Sequence, residues 1–167
     1  LLHHYGSEEQ KKKYLKNLAN GMIPCFGLTS PVSGSDAAGS MIDKGEVFKN
    51  NKGEIKIKVT CNKRYITLAP VAELIGVAFK LVDENNYLNL DNDDDNITLA
   101  LIERDTPGLE IGKRHDPLGV GFQNGPFRGT FEIDIDQVIG GENGLGKGWK
   151  MLMECLAAGR GVCLPAG

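Results

Sequence analysis

A two-residue period runs through the middle of this chain and limits what it can fold into. Ile55, Ile57, Val59 and Cys61 alternate with Glu54, Lys56, Lys58 and Thr60, and Phe131, Ile133 and Ile135 alternate with Glu132, Asp134 and Asp136. Successive side chains of a strand point to opposite faces, so each run is a strand with one buried face. Residues 74–82 and 97–102 are more continuously apolar, as strands covered on both faces would be. Several such strands, separated by turns and without long helices between them, predict a mainly β chain built as a barrel or a sandwich.

Helical patterns stand only at the ends. Ser7-Glu8-Glu9-Gln10 reads as a capping box in which the Ser7 hydroxyl accepts an N–H three residues on and Gln10 reaches back. Tyr14, Leu15 and Leu18 follow at helical spacing, with Lys11, Lys12, Lys13 and Lys16 on the wet side, and Gly21 and Pro24 stop the helix. At the far end Trp149, Leu152, Met153 and Leu156 form an apolar stripe that reads as core. No internal repeat is present.

Composition excludes several functions. A net charge of −3 and a pI near 5.6 argue against a nucleic-acid partner, which favours a basic face. No apolar run approaches the roughly 20 residues of a membrane span, and no signal-peptide pattern is present. Cys25, Cys61, Cys155 and Cys163 are widely spaced among apolar neighbours, which fits reduced thiols and a cytoplasmic setting. The chain starts at Leu1 rather than Met and reads as an excerpt of something longer.

Three patterns resemble ligand sites and fail on inspection. His3-His4 lacks further ligands at suitable spacing, so no metal is expected. Asp91-Asn92-Asp93-Asp94-Asp95-Asn96 resembles the start of a calcium loop, but Asn96 stands where glycine is needed and Ile102 where a carboxylate is needed. The better reading is a solvated hairpin end. Gly141-Glu142-Asn143-Gly144-Leu145-Gly146-Lys147-Gly148 resembles a phosphate-binding loop, yet ends in Gly148 where Ser or Thr would hold magnesium.

The stretch with the most chemistry is Phe26-Gly27-Leu28-Thr29-Ser30-Pro31-Val32-Ser33-Gly34-Ser35-Asp36-Ala37-Ala38-Gly39. An apolar strand ends in a hydroxyl and passes into a loop of Pro, Gly and small polar residues, whose backbone N–H groups can approach a ligand closely. Its order, Thr-x-Pro-x-x-Gly-Ser-Asp-x-x-Gly, resembles the signature of the acyl-CoA dehydrogenase family. A second anchor, Asn62-Lys63-Arg64-Tyr65-Ile66-Thr67, is similar to that family's Lys-x-Trp-Ile-Thr, with Tyr65 for Trp. Further matches come in the family's order: the helix from Gly6 to Leu15, the glycine-rich run Gly144 to Trp149, and Arg160. With Asn62 to Pro70 and Phe122 to Pro126, the chain looks closest to the long bacterial form that serves fatty-acid β-oxidation. Ser30 stands where many relatives have Glu.

The resemblance implies a fold, a division and a function. The fold would be the family's middle β-domain, a β-barrel or orthogonal two-sheet sandwich flanked by a short N-terminal helix and the start of a C-terminal helix. Residues 1–22 would end an N-terminal helical region, 23–140 would be the β-domain, and 141–167 would lead into a C-terminal helical domain. The implied activity is FAD-dependent α,β-dehydrogenation of fatty acyl-CoA to trans-2-enoyl-CoA. The backbone of Phe26, Gly27 and Leu28, with the backbone and hydroxyl of Thr29, would bond the flavin's pyrimidine side. Thr67, after Ile66, would bond near N5, and Tyr65 would cover the ring. Ser35 would lie where the flavin phosphates and the CoA arm pass, and Arg160 would contact CoA. The catalytic glutamate is expected beyond Gly167, so this stretch alone would be inactive. An electron-transferring flavoprotein as acceptor, a homo-oligomer, and a cytoplasmic and possibly membrane-associated full-length protein complete the expectation. Two alternatives stay open: an acyl-CoA oxidase, and a non-catalytic β-domain that binds a protein partner.

Overall fold

The computed structural model describes residues 1–90 and 96–166. The acidic calcium-like run lies almost entirely outside the described residues. Two helices open the chain, α1 (Leu2–Tyr5) and α2 (Glu8–Ala19). The expected capping box is present on α2: Gln10 N–H donates to Ser7 Oγ at 3.2 Å, and Ser7 N–H donates to Gln10 Oε1 at 3.0 Å.

Seven strands follow among the described residues: β1 (Pro24–Gly27), β2 (Lys44–Lys49), β3 (Ile55–Thr67), β4 (Leu74–Val82), β5 (Ile97–Glu103), β6 (Leu109–Ile111) and β7 (Asn124–Asp134). They form one sheet in the order β1-β4-β2-β3-β7-β6, with β5 on the other side of β4. β1 and β2 both run parallel to β4, β1 along its first half and β2 along its last residues. The remaining pairings are antiparallel. The sheet curls into a half-barrel around a single interior. After β7 the chain crosses back to β5, where Ala100 bridges Val138 and Ile139 N–H donates to the Leu99 carbonyl at 2.8 Å.

The interior explains the two hydrophobic patterns. Ile57, Val59 and Cys61 of β3 and Phe131 and Ile133 of β7 face Ile75, Val77, Phe79 and Leu81 of β4 in one core. Their partners in the alternation face water. The other face of β4 and β5 (Leu74, Ala78, Ile97, Leu99 and Leu101) packs against Tyr14 of α2 and against Met151 and Leu152 of α3 (Gly148–Ala158). Both strands are thus buried on two sides, as their continuous apolarity predicted.

Two features depart from the alternation. β2 carries Gly45 at an inward position, because Phe79 occupies the space: a Cβ there would lie 2.4 Å from Phe79 Cε2. The Phe131 strand stops at Asp134, where a capping box with Gln137 turns Ile135 into a short 3-10 helix.

Cys25 and Cys61 lie in the core, and burial pushes both thiols up to about 12. A thiol that titrates higher when folded confers stability that is complete below its unfolded value, about 8.5, and is lost as pH rises towards the folded one. Stability is therefore expected to fall from about pH 9 upward. At pH 8 both thiols should resist iodoacetamide until denaturant opens the fold; labelling of either in native protein contradicts this packing.

Candidate functional site

The two stretches singled out in the sequence meet at one cleft. Among the described residues β1 is paired along one edge only, with β4, which leaves its other row of backbone groups for something else. The chain leaves β1 through Leu28 and Thr29, and the Arg64 N–H of β3 donates to the Thr29 carbonyl at 3.0 Å. This rung brings the end of β1 beside residues 64–67. Phe26, Thr29, Tyr65, Ile66 and Thr67 line a common cavity of about 580 Å³, a volume within the range of small-molecule sites. Its apolar floor includes Leu74 and Gly76. Gly76 is needed there, since a Cβ would lie 2.5 Å from Phe26 Cδ2. Gly27 has the same role towards the core: its Cβ would meet Phe127 Cζ at 2.3 Å.

The β3 side of the cleft is shaped by a bulge. Lys63 pairs with Phe127 and Ile66 with Gly125, so Arg64 and Tyr65 together oppose Pro126. Tyr65 takes φ 61°, a left-handed conformation that is unusual for a bulky residue. This turns its side chain to the cleft rim, 58% exposed, while Ile66 is buried. Asn124 Nδ2 donates to the Tyr65 carbonyl at 2.9 Å and Leu68 N–H to the Gln123 carbonyl at 2.7 Å. The Tyr65 ring lies 5.2 Å from the His115 ring and 4.9 Å from the Arg64 guanidinium carbon. The segment Phe122 to Pro126 thus serves as the brace of the bulge, a relation its sequence did not disclose.

Behind the cleft sits a buried ion pair. Lys63 and Asp43 are 0% and 1% exposed at their side chains, with Nζ 2.6 Å from Oδ2. Lys63 Nζ also donates to the Leu28 carbonyl at 3.0 Å, and Asp43 Oδ1 accepts the Asn62 N–H at 2.7 Å. Burial pulls the lysine ammonium down from its ordinary value, and the Asp43 carboxylate opposes that pull. The pair ties the end of β1, the start of β2 and the middle of β3 together. Sequence reasoning passed over it, although the two-residue period of β3 already placed Lys63 on the inward face after Ile57, Val59 and Cys61.

The loop after Thr29 closes on itself. Ser30 and Ser33 exchange backbone hydrogen bonds at 3.0 and 3.3 Å, and the Asp36 carboxylate accepts the Gly39 N–H at 3.2 Å. Ser35 is exposed on this loop and does not line the cavity. Arg160 is exposed on the π-helical turn Gly159–Cys163 after α3 and does not line it either. Among the described residues no group of three His, Cys, Asp or Glu is placed to hold a metal. No described helix is long and apolar enough to cross a membrane.

The family model described as "Acyl-CoA dehydrogenase, middle domain" matches residues 25–136, which include every residue of this cleft between Cys25 and Leu101. The chain belongs to the acyl-CoA dehydrogenase family. A probable acyl-CoA dehydrogenase of Bacillus subtilis, YngJ, is 36% identical over 167 residues, covering 95% of this chain and 39% of that protein. "Protein HemX" of Proteus mirabilis is 51% identical over 90 residues, covering 53% of this chain and 52% of that protein. The chain therefore spans about half or less of these curated relatives. Among solved structures, butyryl-CoA dehydrogenase from Megasphaera elsdenii superposes with a TM-score of 0.77 at 28% identity, over 95% of this chain and 38% of that one. A glutaryl-CoA dehydrogenase from Mycobacterium smegmatis in complex with FADH2 superposes with a TM-score of 0.67 at 27% identity, over 83% and 32%. The half-barrel is thus the architecture of an acyl-CoA dehydrogenase middle domain.

Proposed function

We propose that these residues form the flavin- and substrate-contacting β-domain of an FAD-dependent acyl-CoA dehydrogenase, one that converts fatty acyl-CoA to trans-2-enoyl-CoA in fatty-acid β-oxidation. The carrying observation is the convergence of Thr29 and Thr67 on one apolar-floored cleft with Tyr65 at its rim. The cleft suits a flat ring system with polar edges: an apolar floor, two hydroxyls, and an unpaired strand edge that offers backbone donors. FAD bound there would supply the hydride acceptor.

The residues of this chain position and polarise. The backbone of Phe26, Gly27, Leu28 and Thr29 and the hydroxyl of Thr29 would hold the pyrimidine side, and Thr67 would bond the same edge near N5. Donors fixed before the reaction favour charge where it develops, without reorganisation. Tyr65 covers the ring and keeps water from it. Exposed Ser35 would meet the flavin phosphates and the CoA arm, and exposed Arg160 would contact CoA. No carboxylate is among the described residues that line the cleft, and in this reading the base that removes the α proton comes from beyond Gly167. In this reading residues 1–22 and 141–167 belong to helical regions that flank the β-domain at 23–140. The full-length protein is a cytoplasmic homo-oligomer that passes electrons to an electron-transferring flavoprotein.

The test uses the full-length protein. It should purify with visible flavin absorbance that fatty acyl-CoA bleaches, and should reduce an electron-transferring flavoprotein faster than oxygen. Thr29→Val and Thr67→Val should each weaken FAD retention roughly five- to tenfold, the worth of one hydrogen bond. A colourless protein that FAD does not reconstitute overturns the reading and favours a protein-binding domain; rapid oxygen consumption would instead mark an oxidase.

A further inference from the structure

Among the described ion pairs, only Lys63–Asp43 has both side chains buried. Stability alone does not account for it, because a well-packed apolar pair of similar volume is often as stable as a buried ion pair or more so. Its third contact is the informative one. Lys63 Nζ donates to the Leu28 carbonyl, and that carbonyl shares a peptide unit with the Thr29 N–H. In a trans peptide the two point in opposite directions, and the backbone of the described residues holds no cis bond, so the Thr29 N–H points away from Lys63. Among the described residues it donates no hydrogen bond to the backbone, and Thr29 lines the cleft. A cation on the carbonyl polarises the unit and makes its N–H a stronger donor, an effect enlarged by the low dielectric of the core.

We infer that Lys63 is a positioning residue for the flavin chemistry: held by Asp43, it acts through the Leu28–Thr29 peptide to favour the negatively charged, two-electron-reduced form of a flavin bound at Thr29 over the oxidised form. The inference rests on the flavin reading above. Asp43 has two parts in it. It keeps the lysine charged within the core, and through the Asn62 N–H it fixes β3 relative to the end of β1.

The experiment is an anaerobic reductive titration of the full-length, FAD-loaded protein with dithionite against a reference dye. Wild type is compared with Lys63→Met and with the neutral pair Asp43→Asn/Lys63→Gln, which keeps polar partners and removes both charges. The ratio of affinities for reduced over oxidised flavin should fall about tenfold, read as a potential lower by roughly 30 mV for a two-electron couple. A purely structural role would loosen both oxidation states alike and leave the potential in place. A folded, flavin-loaded variant at the wild-type potential therefore overturns the inference; if Lys63→Met does not fold, the neutral pair decides. Wild-type protein that holds no flavin overturns the function and this inference together, so the two failures are distinct.

Discussion

Lys63→Met is expected to destabilise the protein by about 3–5 kcal/mol, because it leaves the Asp43 carboxylate buried without its partner. Asp43 is 2% exposed as a residue, and the Asn62 N–H would be the one remaining hydrogen bond to its carboxylate among the described residues. The loss should appear in chemical denaturation as a lower midpoint with little change in slope. Converting Asp43 to Asn in the same chain should recover a large part of it, since the neutral amide carries no unpaired charge. A Lys63→Met protein as stable as wild type would show that the pair does not clamp the three segments.

Phe127→Ala is expected to cost about 3–5 kcal/mol, the range for truncating a buried aromatic. Phe127 is 0% exposed in the half-barrel interior, directly under Gly27 and across the ladder from Lys63. The cavity would open beneath β1 and beside the lysine stem, where the strand has one neighbour and cannot collapse evenly. The loss should therefore combine non-additively with that of Lys63→Met, as expected of residues in contact. Additive losses, measured in a double-mutant cycle by the same denaturation, would place Phe127 outside the support of the cleft.

Much of this architecture is written in local patterns. The Ser7 capping box, the alternation of β3 and β7 and the two-sided burial of β4 and β5 each follow from spacing that one element sets for itself. The meeting of Thr29 and Thr67 was legible only through the resemblance of two short motifs, since no periodicity relates a loop to a strand 38 residues on. The features that shape the cleft are the ones that stayed hidden. The left-handed turn at Tyr65 runs against that residue's own preference and is imposed by an extra residue opposite Pro126 and by the bond from Asn124. Asp43 and Lys63 are 20 residues apart, and their pairing depends on β2 lying beside β3. β2 itself was obscured by Gly45, which leaves its inward position empty of any apolar side chain for Phe79 to fill.

The central claim is that two hydroxyl-bearing segments share one flavin edge, and a crystal structure of the full-length protein with FAD tests it most directly. The account predicts the isoalloxazine in the cleft, within hydrogen-bond distance of both Thr29 and Thr67, with Tyr65 against the ring. A flavin seated elsewhere, or touching only one of the two threonines, would contradict it.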